Sequence, residues 1–178
     1  MRYYPLIFGL LFFGLSACEK STEPTPAEPQ PYWGTANATV NGIAWTGNPL
    51  AFINTYHGNG LQVMIDSVDQ SGAVKGSLTF SKVPFVYGKY PLVNTEPQLN
   101  DSLVGAIYYI LDKGVATGTY RVLESDSSSF VTVLSYDATS TELTGTFDIT
   151  LLIKVQLNAG NPDTIRIRNG SFHTKVTK

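Results

Sequence analysis

The sequence has few of the residues that support cross-linking, metal binding or acid–base catalysis. Only one of its 178 residues is a cysteine, so no disulfide can form within the chain. Its two histidines, His57 and His173, lie far apart, whereas a structural metal site uses about four closely spaced His, Cys or carboxylate ligands. There is no Gly-x-Ser-x-Gly nucleophile motif and no glycine-rich phosphate loop. We therefore predict that the protein has no catalytic residues, no metal and no cofactor.

Charge is sparse and nearly balanced. The chain has 12 Lys and Arg residues against 14 Asp and Glu residues, and the basic residues form no block. Binding to the phosphates of a nucleic acid depends on clustered Lys and Arg. We therefore predict no nucleic-acid partner.

The longest apolar segment lies at the N-terminus, from Tyr3 to Gly14, and it is too short to span a bilayer as a helix. It follows Arg2 and precedes Leu15-Ser-Ala-Cys18, which is the order of a secretory signal. These four residues resemble the lipobox of bacterial lipoproteins. The resemblance implies that residues 1–17 are removed and that Cys18 is acylated as the first mature residue. The alternative is an ordinary secretory signal with an incidental cysteine.

The composition of residues 18–31 predicts a tether between the acylated Cys18 and a folded domain. Residues 19–31 contain four prolines and no large apolar side chain, so they cannot bury enough surface to fold. A polyproline-like spacer of this length reaches about 40 Å at about 3.1 Å per residue. Stable anchoring needs more than one acyl chain. By resemblance to other lipoproteins, Glu19 after the cysteine favours the outer membrane, with the domain facing the periplasm or exposed at the cell surface.

Period-two alternation from Tyr32 onward predicts β-strands. It is longest between residues 143 and 157, where the apolar or small residues at odd positions are Leu143, Gly145, Phe147, Ile149, Leu151, Ile153, Val155 and Leu157. The alternation changes parity at Asn169-Gly170, which predicts a β-bulge with Gly170 at positive φ. Asn41-Gly42 predicts a tight hairpin. Residues 103–111 are apolar at nearly every position, which predicts a central strand covered on both faces.

No amphipathic helix is evident. We predict an all-β domain over residues 32–178, a single antiparallel β-sandwich or flattened β-barrel of about nine or ten strands.

The candidate binding residues are aromatic. Phe85, Tyr87 and Tyr90 lie between Pro84 and Pro91 with a glycine, and this composition predicts a rigid loop that could recognise a glycan, a peptide or an envelope protein. We expect Trp45, Phe147 and Phe172 to fill the core instead.

Carboxylates are the only plentiful reactive groups. The pairs Asp66 with Asp69 and Glu124 with Asp126 could act in acid–base chemistry or bind Ca²⁺. More often, acidic residues in turns are solvated caps.

Four segments in this order carry a wider resemblance: Ala38–Trp45, Gly118–Leu123, Leu143–Ile149 and Ile167–Phe172. With the lipobox and the tether, they resemble small Bacteroidota envelope lipoproteins that carry a β-rich domain of unknown function. The resemblance implies one β domain on a lipid anchor and no catalytic residues.

Three functional hypotheses follow. The first is a lipid-anchored, non-enzymatic envelope protein that binds or scaffolds a partner. The second is a calycin-like carrier of a small apolar ligand. The third is a hydrolase of envelope polymers that uses carboxylates such as Asp66 and Asp69, and it requires two carboxyl groups about 5–9 Å apart.

Overall fold

The computed structural model describes residues 32–54, 60–94 and 102–177, which form strands, turns and loops without a helix. The all-β prediction is confirmed, with ten strands. Cys18, the tether and His57 lie outside the described residues. The strands are β1 (Thr35–Val40), β2 (Ile43–Asn54), β3 (Gly60–Val68), β4 (Val74–Val83), β5 (Gly88–Asn94), β6 (Val104–Asp112), β7 (Val115–Val122), β8 (Phe130–Tyr136), β9 (Glu142–Gln156) and β10 (Thr164–Thr177).

All ten strands belong to one sheet whose hydrogen bonding closes on itself. The order is β1-β10-β2-β3-β4-β6-β5-β8-β9-β7, and further pairings join β1 to β2, β10 to β9 and β6 to β7. The prediction of a wholly antiparallel sheet needs correction, because β10 pairs in parallel with β2 and β5 pairs in parallel with β6. The first of these parallel pairings is two residues long and the second is three.

Aromatic rings fill the centre of the closed sheet. Phe147 of β9 has its ring centroid 5.3 Å from that of Phe80 and 6.3 Å from that of Phe172, and all three side chains are buried. Tyr120 is also fully buried, and its hydroxyl donates a hydrogen bond to the carbonyl oxygen of Pro162 at 2.8 Å. The expected core roles of Phe147 and Phe172 are confirmed. Trp45 is only partly buried and packs against this core.

The predicted alternation of β9 is confirmed from Leu143 to Ile149, and Thr150 departs from it because this even-numbered residue is buried. Odd positions from Leu143 to Leu151 are buried. The prediction is wrong at Val155 and Leu157, which are exposed. The register with β7 shifts between Thr119 and Tyr120, and this extra residue in β9 turns Val155 to the outer face.

The bulge predicted in β10 is confirmed, because the register with β9 shifts between Ile167 and Gly170. The positive φ belongs to Asn169, at +53°, and not to Gly170 as predicted. Gly170 is required for a different reason, since a Cβ there would overlap the ring of Phe147. The Asn41-Gly42 hairpin is confirmed, and both residues have positive φ, as a type I′ turn requires.

Strand β6 is central, since it pairs with β4 on one side and with β5 and β7 on the other. The prediction that both of its faces are covered is wrong. Ala106 and Tyr108 face the core, whereas Ile107 and Tyr109 are only partly buried on the outer face.

Candidate functional site

The chain enters the sheet at Thr35, where β1 lies between β10 and β2. Thr35 pairs with His173 of β10, and Ala36 pairs with Gly47 of β2. Beyond the start of β1, β10 and β2 pair directly with each other, so no place remains in the sheet for the residues before Thr35. Residues 32–34 therefore lie outside the sheet.

Gly34 makes the turn through which the chain enters the sheet. Its φ is +91°, and a Cβ at this position would overlap the carbonyl oxygen of His173. Both facts require glycine.

Trp33 and Tyr32 then lie on the outer face of the sheet. The ring of Trp33 packs edge-on against the ring of His173, with centroids 4.9 Å apart, and the Lys175 ammonium lies 4.6 Å from the Trp33 ring centroid. The hydroxyl of Tyr32 donates a hydrogen bond of 2.7 Å to Oδ2 of Asp66, in β3. These contacts fix the first described residues to β10 on one side and to β3 on the other.

Beside Tyr32, the outer faces of β1, β2 and β3 form a pocket of about 180 Å³. The strand register explains its composition, because Asn48 lies opposite Asp66 and Asn37 lies opposite Thr46. Outward positions of neighbouring strands thus bring polar side chains together. The lining residues are Thr35, Ala36, Asn37, Thr46, Gly47, Asn48, Asp66 and Val68.

Asp66 is the buried carboxylate of this pocket, with 7% of its surface exposed. Its Oδ2 accepts the hydrogen bond from Tyr32, whereas its Oδ1 has no hydrogen-bond partner among the described residues. The ion pairs recorded for the described part of the chain involve other carboxylates. Burial and the adjacent Asp66 carboxylate raise the pKa of Tyr32 to about 12. Tyr32 therefore remains a donor over the physiological pH range.

The pocket that Asp66 lines does not include Asp69. Asp69 lies in the turn after β3, where it accepts hydrogen bonds from the hydroxyl and backbone of Ser71 and from the backbone of Ala73. Its carboxylate also lies 3.5 Å from the Lys75 ammonium. The Ser71 hydrogen bond is the main cause that lowers the pKa of Asp69 to about 2. Asp69 is therefore a turn residue with its own partners.

Glu124 and Asp126 also have separate structural partners. Glu124 accepts hydrogen bonds from the backbone and side chain of Asn94. Asp126 accepts one from the backbone of Ser128 and lies 3.7 Å from Arg168, and these groups lower its pKa to about 2, Ser128 most of all. Both acids hold the loop after β7 in place.

The three aromatic residues predicted as a recognition patch have different environments. The ring of Phe85 packs against that of Tyr136, with centroids 5.0 Å apart, and borders the core. Tyr87 is 73% exposed. Tyr90 lies in β5, because the strand starts at Gly88 within the predicted loop, and its hydroxyl donates to the carbonyl oxygen of Val86 at 2.8 Å. Of the three rings, Tyr87 is thus the one that projects into solvent.

His173 is an exposed strand histidine, as expected, with Nε2 3.2 Å from Oε2 of Glu142. No group of three or more His, Cys, Asp or Glu residues suited to a metal occurs within residues 32–54, 60–94 and 102–177. The same ranges contain no helix that could cross a membrane.

The sequence patterns did not predict the polar pocket, although Asp66 was among the candidate reactive residues. A usable signal was present in β2 and β1, where Asn and Thr occupy the outward positions of otherwise apolar strands. The contact between Asp66 and Tyr32 had no such signal, because the two residues are 34 positions apart in the sequence.

Fold and site together define an all-β protein with a closed ten-stranded sheet and a polar pocket on its outer face. The chain matches no protein-family model, and neither a curated protein nor a solved structure shows significant similarity to it.

Proposed function

We propose that this protein is a lipid-anchored component of the bacterial cell envelope whose β domain binds a partner and has no enzymatic activity. The anchor is the acylated Cys18, which holds the protein at the outer membrane. The binding surface is the outer-face pocket of β1, β2 and β3, next to the residues through which the domain joins its tether.

The observation that carries the binding function is the state of Asp66. A buried carboxylate is costly unless its oxygens are paired, and Oδ1 has no partner among the described residues. Polar side chains from three strands surround it. A site that keeps an unsatisfied buried oxygen next to an open pocket is suited to receive a ligand.

Two observations support this proposal over its alternatives. The Phe80, Phe147 and Phe172 rings occupy the centre of the closed sheet, where a calycin-like carrier needs a lumen. The lining of the pocket includes Asp66 but not Asp69, whereas a hydrolase needs both carboxyl groups in one cleft.

The anchor is tested by replacing Cys18 in the native host. We expect Cys18→Ala to move the protein out of the outer-membrane fraction, because it removes the acylation site. Ser21→Ala, in the tether, is the matched control and should leave the protein in that fraction. An unchanged distribution of the Cys18 variant would contradict the proposed anchor.

The binding surface is tested by site-specific photo-crosslinking in intact cells. A photoreactive residue replaces Thr46 at the pocket or, as a control, Lys154 on β9. Both positions are exposed. We expect a discrete crosslinked product from position 46 and none from position 154. The same product from both positions, or no product from either, refutes the proposed surface.

A further inference from the structure

The chemistry of the pocket indicates the class of ligand. Its one carboxylate, Asp66, has no positively charged partner among the described ion pairs. A neutral ligand leaves this buried charge uncompensated, whereas a cation offsets the cost of its desolvation. The pocket therefore favours a ligand with a positive charge.

The number and type of oxygen ligands decide which cation fits. Divalent cations such as Ca²⁺ prefer several carboxylates and six to eight oxygen ligands, and this pocket has one acidic residue. Its other polar side chains are the hydroxyls of Thr35 and Thr46 and the amides of Asn37 and Asn48. An ammonium group has a single charge and three N–H donors. One N–H group can donate to the carboxylate, and the other two can donate to hydroxyl or amide oxygens.

The size of the site sets the shape of the ligand. Oδ1 of Asp66 exposes almost none of its surface, so only a group about the size of a water molecule can pair with it, and the Asp66 side chain must shift slightly toward the pocket to admit that group. The pocket volume of about 180 Å³ exceeds that of a single water or ion. Val68, which is 41% exposed, adds an apolar wall. These features fit a small charged head on a short carbon chain.

We propose that the pocket binds a primary alkylammonium group, with Asp66 as its ionic partner and Val68 in contact with the carbon chain. This inference rests on the proposed function, because it names the ligand chemistry of the same pocket. Charge-assisted hydrogen bonds to the carboxylate provide both affinity and orientation.

Three four-carbon probes separate the parts of this proposal. n-Butylammonium has charge and N–H donors, 1-butanol has a hydroxyl and no charge, and butyltrimethylammonium has charge without a donor. Each is titrated into the mature acylated protein in detergent micelles, and binding is followed by the NMR shifts of the Asn37, Thr46 and Asn48 amides. We expect saturable shifts with n-butylammonium and at least tenfold weaker binding of the other two probes.

Two substitutions assign the binding to Asp66. Asp66→Asn should weaken n-butylammonium binding at least tenfold, whereas Asp69→Asn removes the same charge from a neighbouring turn and should leave binding unchanged. Because Asp66 is buried, a second variant uses the exposed Val68. Val68→Lys places an ammonium next to the pocket and should block the probe, whereas the neutral Val68→Gln loses only the apolar contact and should weaken binding much less than Val68→Lys.

The outcomes are decisive for the ligand class. The ammonium site is refuted if n-butylammonium binding does not saturate. It is also refuted if 1-butanol or butyltrimethylammonium binds as tightly as n-butylammonium, or if the Val68→Lys variant binds n-butylammonium as tightly as the wild type. Photo-crosslinking at position 46 reports separately on the proposed function. A crosslink at that position without n-butylammonium binding refutes the ligand class alone, and loss of both results refutes the binding surface as well.

Discussion

Gly170 provides a direct test of how tightly the interior is packed. It lies opposite Phe147 in the β9–β10 register. A methyl group at position 170 would lie 2.5 Å from Cδ2 and 2.6 Å from Cζ of that ring, and closer still to Cε2. Normal carbon–carbon contacts are about 3.5–4.0 Å. Gly170→Ala therefore forces about 1 Å of overlap with three ring atoms.

The ring of Phe147 has little room to move, because it is fully buried and the rings of Phe80 and Phe172 both pack against it. Overpacking of a core costs about 1–3 kcal/mol, and we expect Gly170→Ala to lose about 2–3 kcal/mol. For a domain of this size, that lowers Tm by roughly 5–10 °C. The loss is notable because Ala in place of Gly otherwise stabilises a compatible site by about 0.4–1 kcal/mol.

Thermal and urea unfolding, followed by circular dichroism, measure this effect. Gly160→Ala is the matched control, since a Cβ there meets only Oδ1 of Asn158, at 3.4 Å, and it should unfold at or slightly above the wild-type Tm. Adding Phe147→Leu to Gly170→Ala should cost less than the sum of the two single changes, because the smaller side chain makes room for the methyl group. Equal Tm values for Gly170→Ala and Gly160→Ala would refute the packing argument.

Three further predictions concern individual side chains. Phe147→Ala should cost about 3–5 kcal/mol in urea unfolding, and Thr146→Ala, on the outer face, about 0.5 kcal/mol or less; equal midpoints would contradict the face assignment. Burial raises the pKa of Tyr108 from 10.0 to about 12. Burial of the neutral Tyr108 therefore contributes stability below pH 10, and the free energy of unfolding falls by up to about 3 kcal/mol as the pH rises to 12. Tyr108→Phe should flatten that fall in a pH series of unfolding curves, and an unchanged slope would refute it. Tyr32→Phe removes the donor to Asp66 and should cost about 1–2 kcal/mol, which an unchanged thermal midpoint would disprove.

Local patterns predicted much of the fold because strand formation and tight turns depend on neighbouring residues. The odd-numbered residues from Leu143 to Leu151 are buried in the core as predicted, since the side chains of a strand alternate between its two faces. Asn41-Gly42 forms its hairpin because both residues tolerate positive φ. The prediction failed at Val155, where a register shift against β7 reverses the alternation, and such a shift depends on the partner strand.

The candidate site was much harder to predict than the fold. The sequence identifies Asp66 as a potentially reactive residue, with Asp69 as its nearest acidic neighbour along the chain. Its actual neighbours are Asn48, opposite it in β2, and Tyr32, which precedes the first strand. Proximity along the chain therefore gave no indication of these two neighbours.

By itself, the sequence determined the all-β class and the positions of most strands, because period-two alternation and turn residues act over a few neighbouring positions. It also carries the Leu15–Cys18 resemblance on which the proposed anchor rests. The tertiary structure alone decided the closed order of the sheet, its two parallel pairings and the turn at Gly34 through which the chain enters the sheet. It also decided the environment of Asp66, because a pocket formed by three strands depends on register between distant segments, which no local pattern specifies.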